Sequence, residues 1–194
     1  MAYKINLSNK NKEIAESLLL EVVKSLDSLN IEYWLEGGTL LGIKRESRLL
    51  PWDNDLDLSI NNSQINKVDN LISDLKTKKL RVRLRKFNKK SEVFKKEDIR
   101  IIKIRNRRFF NLLKGDVCLE IFVKYPKENN TYWMIGDVTK NVPSKFYSKF
   151  KTIKFKDYSF SIPFLADEYL TFRYGDWKKT VKEWNTFTDD KALN

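Results

Sequence analysis

The sequence predicts an α+β domain, and three observations carry that prediction. Segments 8–30 and 64–77 repeat apolar residues at helical spacing. Runs 53–60, 80–85 and 117–123 read as strands, by alternation or by continuous apolar β-formers. A Gly37-Gly38 turn joins a short aromatic strand at 31–35 to an apolar helix at 39–45. With 194 residues, 41% hydrophobic and 13% aromatic, the chain is expected to form one domain over 1–194. Residues 125–194 then read as an aromatic-rich C-terminal extension packed on the core.

Taken in order, Ile14, Leu18, Leu19, Val22, Val23, Leu26 and Leu29 line one helical face, with Ser8 as the expected cap and Asn30 as the stop. After the 31–35 strand, Glu36-Gly37-Gly38 turns the chain into the 39–45 helix. The 64–77 helix is expected to be capped by Asn62 or Ser63. In 80–85 apolar and basic residues alternate, which gives one core face and one arginine face. Residues 99–105 are a less regular strand, joined to it by the Lys-rich 86–97. Residues 151–162 fit a hairpin turning at Asp157-Tyr158, and 166–174 a helix capped by Asp167 and stopped by Gly175.

Composition narrows the chemistry. A formal net charge of +12, from 38 Lys and Arg against 26 Asp and Glu, argues for an anionic partner: nucleotide, phosphorylated glycan, acidic lipid surface or nucleic acid. Biased lysine usage explains the same excess equally well. One cysteine, Cys118, excludes an intramolecular disulfide, and the lack of histidine excludes a His-based triad or a Cys/His zinc site. No apolar run approaches the roughly 18 residues of a membrane span, and 1–14 lacks a signal-peptide core. The chain is therefore expected in the cytoplasm, with any membrane contact peripheral and at the inner surface.

The most specific stretch is Tyr33 to Ile60. Asp53, Asp55 and Asp57 stand at alternate positions, so a strand over 53–60 projects all three carboxylates from one face. Aligned carboxylates repel unless a cation lies between them, and hard oxygen ligands suit Mg²⁺ or Mn²⁺ held together with substrate phosphates. Glu120, an acid inside the apolar 117–123 strand, is costly there unless paired with a base or bound to metal. Both readings stand, and proximity to the aspartate strand favours metal. Gly37, Gly38 and Thr39 open a helix whose free N–H groups suit a phosphate, and Arg45 suits bidentate phosphate contact. Trp52 reads as core, and the arginines of 80–85 as a solvated face rather than a binding surface.

These residues resemble the signature of the LicD/fukutin-related family of the nucleotidyltransferase superfamily. The resemblance lies in Gly38-Thr39-Leu40-Leu41-Gly42, Arg45, Pro51-Trp52-Asp53 and the alternating acids, then in Pro163, Asp167-Glu168-Tyr169-Leu170 and Tyr174-Gly175-Asp176-Trp177. Asn54 stands where that family usually has an acid, and Glu120 where aspartate is common. The resemblance implies a nucleotidyltransferase-like mixed sheet flanked by helices and a divalent metal; the residues themselves would offer Asp53, Asp55, Asp57 and Glu120 to it, with Glu120 either completing the metal site or taking the proton of the acceptor hydroxyl. It implies transfer of a phospho-substituent, such as phosphocholine or an alditol phosphate, from a CDP-linked donor to a sugar hydroxyl of a cell-surface glycan or lipid-linked precursor.

Two alternatives stand beside it. One keeps the fold and moves NMP from an NTP to a small molecule, protein or RNA. The other is a non-catalytic module that binds nucleic acid through Arg81, Arg83, Arg85, Arg100, Lys103, Arg105, Arg107 and Arg108. The second leaves the aligned acids without a purpose.

Overall fold

The structure, a computed structural model, describes residues 4–108 and 113–192. The side chain of Arg108, part of the basic surface considered above, lies outside the described residues.

Helix α1 (Lys10–Ser28) buries Ala15, Leu18, Leu19, Val22, Val23 and Leu26, the face expected from its period. Its cap differs from expectation. The Ser8 hydroxyl is engaged by Asn6 Oδ1 at 2.7 Å, and Asn9, at φ 50°, precedes the helix without a side-chain cap. Strand β1 (Tyr33–Leu35) leads into α2 (Gly37–Glu46), then a loop, then β2 (Leu56–Asn61). Helix α2 begins at Gly37, two residues earlier than expected, because Glu36 is its extended N-cap and accepts from its own neighbour, Gly37 N, at 3.2 Å. A 3-10 turn (Asn62–Lys67) precedes α3 (Val68–Thr77), and its cap is Asn61, whose side chain accepts from Ser63 N.

Strands β3 (Arg81–Lys86), β4 (Ile99–Arg105) and a two-residue pair, β5 (Arg107–Arg108) with β6 (Leu113–Lys114), follow. Strand β7 (Leu119–Lys127) continues into β8 (Asn130–Ile135) and β9 (Val138–Pro143) through turns at 128–129 and 136–137. These hairpins have the two-residue punctuation that favours such turns, Gly136-Asp137 among them, but the aromatic sequence around them gives no clean alternation. After a 3-10 turn (Ser144–Tyr147) come β10 (Phe150–Phe155), β11 (Tyr158–Pro163) and α4 (Ala166–Tyr174). The β10–β11 hairpin turns at 156–157, one residue before the expected place, because Phe155 pairs with Tyr158. Helix α4 starts after Leu165 with no side-chain cap, so Asp167 lies in its first turn, where its charge suits the helix dipole, and Gly175 at φ 67° ends it.

The main sheet is mixed, in the order β1-β2-β7-β4-β3, with β8 and β9 added beyond β7. Only β2 and β7 among its described pairs run parallel. The register explains its two faces. Leu56, Leu58 and Ile60 align with Leu119, Ile121 and Val123, and Ile121 and Leu119 with Ile102 and Ile104. That apolar face joins the core formed with α1 and α3. The alternate positions place Asp57 beside Glu120, Glu120 beside Lys103, and Lys103 beside Arg83. One charged row therefore crosses the opposite face of four strands.

Candidate active site

The charged face opens into a cavity of about 800 Å³, bounded by the start of α2, the loop before β2, the sheet and the segment after α4. Its size is that of a site for a nucleotide or sugar. Asp53, Asp55, Asp57 and Glu120 all line it.

The strand reaches only one of the three aspartates. Strand β2 begins at Leu56, so Asp57 alone is held by sheet geometry, with its neighbour Glu120 facing it across the parallel pair. Asp53 and Asp55 belong to the loop after Pro51-Trp52, which is bent by Asp53 N donating to Leu50 O at 3.1 Å and tied to the N-terminal segment by Leu7 N donating to Asp53 O at 2.8 Å. The expected strand over 53–60 is thus a loop followed by a strand, and the loop folds Asp53 and Asp55 onto the same cavity.

The Gly-Gly turn has a steric role. Gly37 has φ +54°, and a Cβ there would overlap Asp57 Oδ2; a Cβ on Gly38 would overlap Asp53 Oδ2. Both carboxylates press against backbone that only glycine leaves open. Thr39 is buried, and its Oγ1 accepts from Asp57 N at 2.9 Å, which fixes the strand's entry beside α2. Arg45 lies at the cavity edge, where its guanidinium donates to Glu46 Oε1 at 2.6 and 3.0 Å, to Trp177 O at 3.0 Å and to Lys179 O at 3.3 Å. These bonds fasten the C-terminal segment to α2 and engage four of the five N–H donors that suited Arg45 to a phosphate.

Burial and crowding disfavour ionisation of the aspartates. Burial pushes Asp53 up to about 6, and burial with the charges of Asp53 and Glu120 pushes Asp55 up to about 8. Asp57 is driven well above the usual carboxylate range by burial, then by Asp55, Asp53 and Glu120. Such a set gains most from a cation. Among the described residues no group of three or more His, Cys, Asp or Glu forms a ready-made metal cage. Hard carboxylate oxygens around an open cavity fit a divalent ion that takes part of its shell from a substrate phosphate. On the basic side, Lys103 Nζ lies 2.6 Å from Glu120 Oε1, and Arg85, Lys86 and Arg100 continue the wall. Part of the arginine face read as solvated thus reaches the cavity.

Behind the wall lies an ionic network that pattern reasoning missed. Glu36, 2% exposed, accepts at Oε1 from Arg173 Nη1 at 3.0 Å and from the Tyr169 hydroxyl, and at Oε2 from the Tyr147 hydroxyl at 3.0 Å and Ser59 Oγ at 3.1 Å. Lys124 Nζ stands 3.1 Å from Glu36 Oε2 as an ion partner without hydrogen-bond alignment, and 3.2 Å from the centre of the Trp133 ring. Burial raises Glu36, but Lys124 and Arg173 outweigh it and hold the carboxyl at about 2. Burial lowers Lys124 to about 8, because the one acid opposing that shift most, Glu36, is shared with Arg173. Arg173 also binds Asp190 through Nε at 3.1 Å and through Nη2, and Lys140 Nζ reaches Asp190 Oδ2 at 2.6 Å. The alternation Glu120, Phe122, Lys124 along β7 was the available signal for Lys124; Glu36, Arg173 and Asp190 had none, since their pairing spans 137 and 17 residues.

Residues 30–164 match the model of the LicD/FKTN/FKRP family, described as a nucleotidyltransferase domain. The chain belongs to this family. Ribitol-5-phosphate transferase FKTN of Macaca fascicularis is 29% identical over 181 residues, covering 90% of this LicD-family chain and 35% of that protein. Ribitol 5-phosphate transferase FKRP of Homo sapiens is 51% identical over 39 residues, 20% of this chain and 8% of that protein. Protein RT0683 of Rickettsia typhi is 24% identical over 178 residues, covering 89% of this chain and 49% of that protein. The chain thus spans about half of the Rickettsia relative and about a third of FKTN. Among the described residues of this LicD-family chain, no helix is long and apolar enough to cross a membrane.

Proposed function

We propose that this chain is a Mg²⁺- or Mn²⁺-dependent transferase that moves a phospho-substituent from a CDP-linked donor to a sugar hydroxyl of a glycan or its lipid-linked precursor. The observation that carries the reading is the row in which Asp57 and Glu120 face each other in register and Lys103 and Arg83 continue it. Acids able to hold a metal stand in register beside cations able to meet phosphate oxygens, which supports the reading. The names of the FKTN and FKRP relatives, ribitol phosphate transferases, support the substrate class.

In this reading Asp55 and Asp57 hold the cation, with Asp53 against Gly38 completing the acidic wall and Glu120 beside them. A divalent ion held there would supply positive charge against the donor's phosphates. The acceptor oxygen attacks the phosphorus of the transferred group, the bond from that phosphorus to the bridging oxygen breaks, and CMP leaves. The hydroxyl proton passes to a carboxylate. Glu120, oriented by Lys103 at 2.6 Å, is the acid assigned to take it. Arg85, Lys86 and Arg100 offset the pyrophosphate charge from the basic side.

A thermal-shift screen of nucleotides with Mg²⁺ or Mn²⁺ tests the proposal. Stabilisation by CDP-choline or CDP-ribitol and not by NTPs is expected. Stabilisation by NTPs alone would replace it with nucleotidyl transfer. Binding that needs no metal, resists Asp57→Asn and extends to duplex DNA would point instead to a nucleic-acid module.

A further inference from the structure

The cavity mouth has a chemistry that the transfer step does not use. Four of the chain's five tryptophans line this cavity: Trp52, Trp133, Trp177 and Trp184. Their exposure is graded, from 1% at Trp133 and 7% at Trp177 to 37% at Trp184, with Phe187 at 43% and Val181 at 50%. The exposed members belong to the segment after α4, which crosses the mouth. One end is fastened by Arg45 to Trp177 O and Lys179 O, the other by Lys140 to Thr186 and Asp190. Between these anchors, Val181 to Trp184 make no backbone–backbone hydrogen bond among the described residues. Their place is set by rings: Trp184 lies 4.9 Å from Tyr174, and Lys182 Nζ 5.7 Å from the Trp52 ring.

Large aromatic side chains left exposed beside a cavity that also carries acids and bases indicate something that stacks there. Acids and bases that suit metal and phosphates line the cavity beside apolar side chains such as Leu41, Leu50, Ile101 and Phe122, and the Trp184 and Phe187 rings are uncharged and exposed. A sugar ring of a glycan acceptor is also uncharged, has an apolar C–H face and hydroxyls at its edge, and remains attached to a larger molecule that stays outside. Its natural station is the mouth.

We propose that Trp184 and Phe187 form the acceptor subsite, stacking the apolar face of a sugar ring so that its hydroxyl points toward the Asp57–Glu120 row. The proposal rests on the transferase reading above, and the test separates the two. Chitotriose and maltotriose serve as neutral saccharide probes, and CMP with Mg²⁺ as the donor-side probe, each titrated calorimetrically against the full chain and against Trp184→Ala, Trp184→Phe and Phe187→Ala. Wild-type protein is expected to bind at least one saccharide, with quenching of its tryptophan emission. Trp184→Ala should weaken that binding about tenfold, the size of one stacking contact, while Trp184→Phe restores most of it. CMP affinity should stay within about twofold in all variants. Weaker CMP binding with unchanged saccharide binding would assign the rim to the donor's base and overturn the proposal; so would failure of the wild type to bind either saccharide. Saccharide binding intact with no CMP binding would instead defeat the transferase reading alone.

Discussion

At the scale of single residues, the aspartates and Glu36 pull stability in opposite directions with pH. An acid whose folded pKa is raised loses stability as pH climbs from its unfolded to its folded value. Asp53, at about 6, and Asp55, at about 8, therefore destabilise the metal-free protein progressively from about pH 4 to 8. Glu36 and Asp190, each held at about 2, contribute stability that is complete above their usual range and is lost as pH falls toward 2. Metal-free protein should have its highest melting temperature near about pH 4 to 5. Added Mg²⁺ or Mn²⁺ should raise that temperature more at pH 8 than at pH 5; an equal rise at both would contradict carboxylate binding. Asp57, whose carboxyl is driven well above the usual range by burial and then by Asp55, gives the sharpest single test. Asp57→Asn should reduce transfer by about 10³-fold or more, several kcal/mol of transition-state stabilisation. The same change should raise the metal-free melting temperature, increasingly so above pH 4, and an unchanged temperature at pH 8 would refute the assigned burial cost.

At the scale of elements, the start of α2 and the loop before β2 are built for mutual contact. Gly38→Ala introduces a Cβ against Asp53 Oδ2, and the helix start cannot yield because Glu36, its cap, is held by Arg173. The carboxylate must move instead. A displacement of about 1 Å in such a group costs on the order of 10²-fold in rate, so Gly38→Ala should fold and lose activity to that extent in a steady-state assay. Thr39→Val removes the acceptor of Asp57 N, and an unsatisfied buried N–H costs about 1–3 kcal/mol. Denaturant unfolding should register that loss, and a variant as stable as the wild type would remove Thr39 from this role.

At the scale of the whole molecule, the chain after α4 is joined to the site's rear wall by charge. Asp190 is buried and binds both Arg173 and Lys140, and Arg173 in turn binds Glu36, the residue before Gly37. Breaking one partner of a buried ion network leaves an uncompensated charge, at a cost of about 3–5 kcal/mol. Asp190→Asn should show that loss in urea unfolding, and a change below about 1 kcal/mol would mean that the buried cations find compensation elsewhere. Since the same network supports Glu36, residual activity should fall together with stability.

The amino-acid sequence determined the elements that rest on local pattern: α1, β3, the hairpin of β10 and β11, and the acid-bearing run in β7. Helical and strand periods are local properties, so they need no knowledge of the fold. It also named the acids that meet in the cavity, because alternating aspartates near a Gly-Gly turn have few other uses. Tertiary structure decided what required distant partners. It converted the expected aspartate strand into a loop plus a strand, since Asp53 is tied to Leu7 and Leu50 instead of to a neighbouring strand. It committed Arg45 to carbonyls more than 130 residues away. It also buried Glu36, Lys124, Arg173 and Asp190 together, a network whose electrostatics depends on proximity in space and so has no period along the chain.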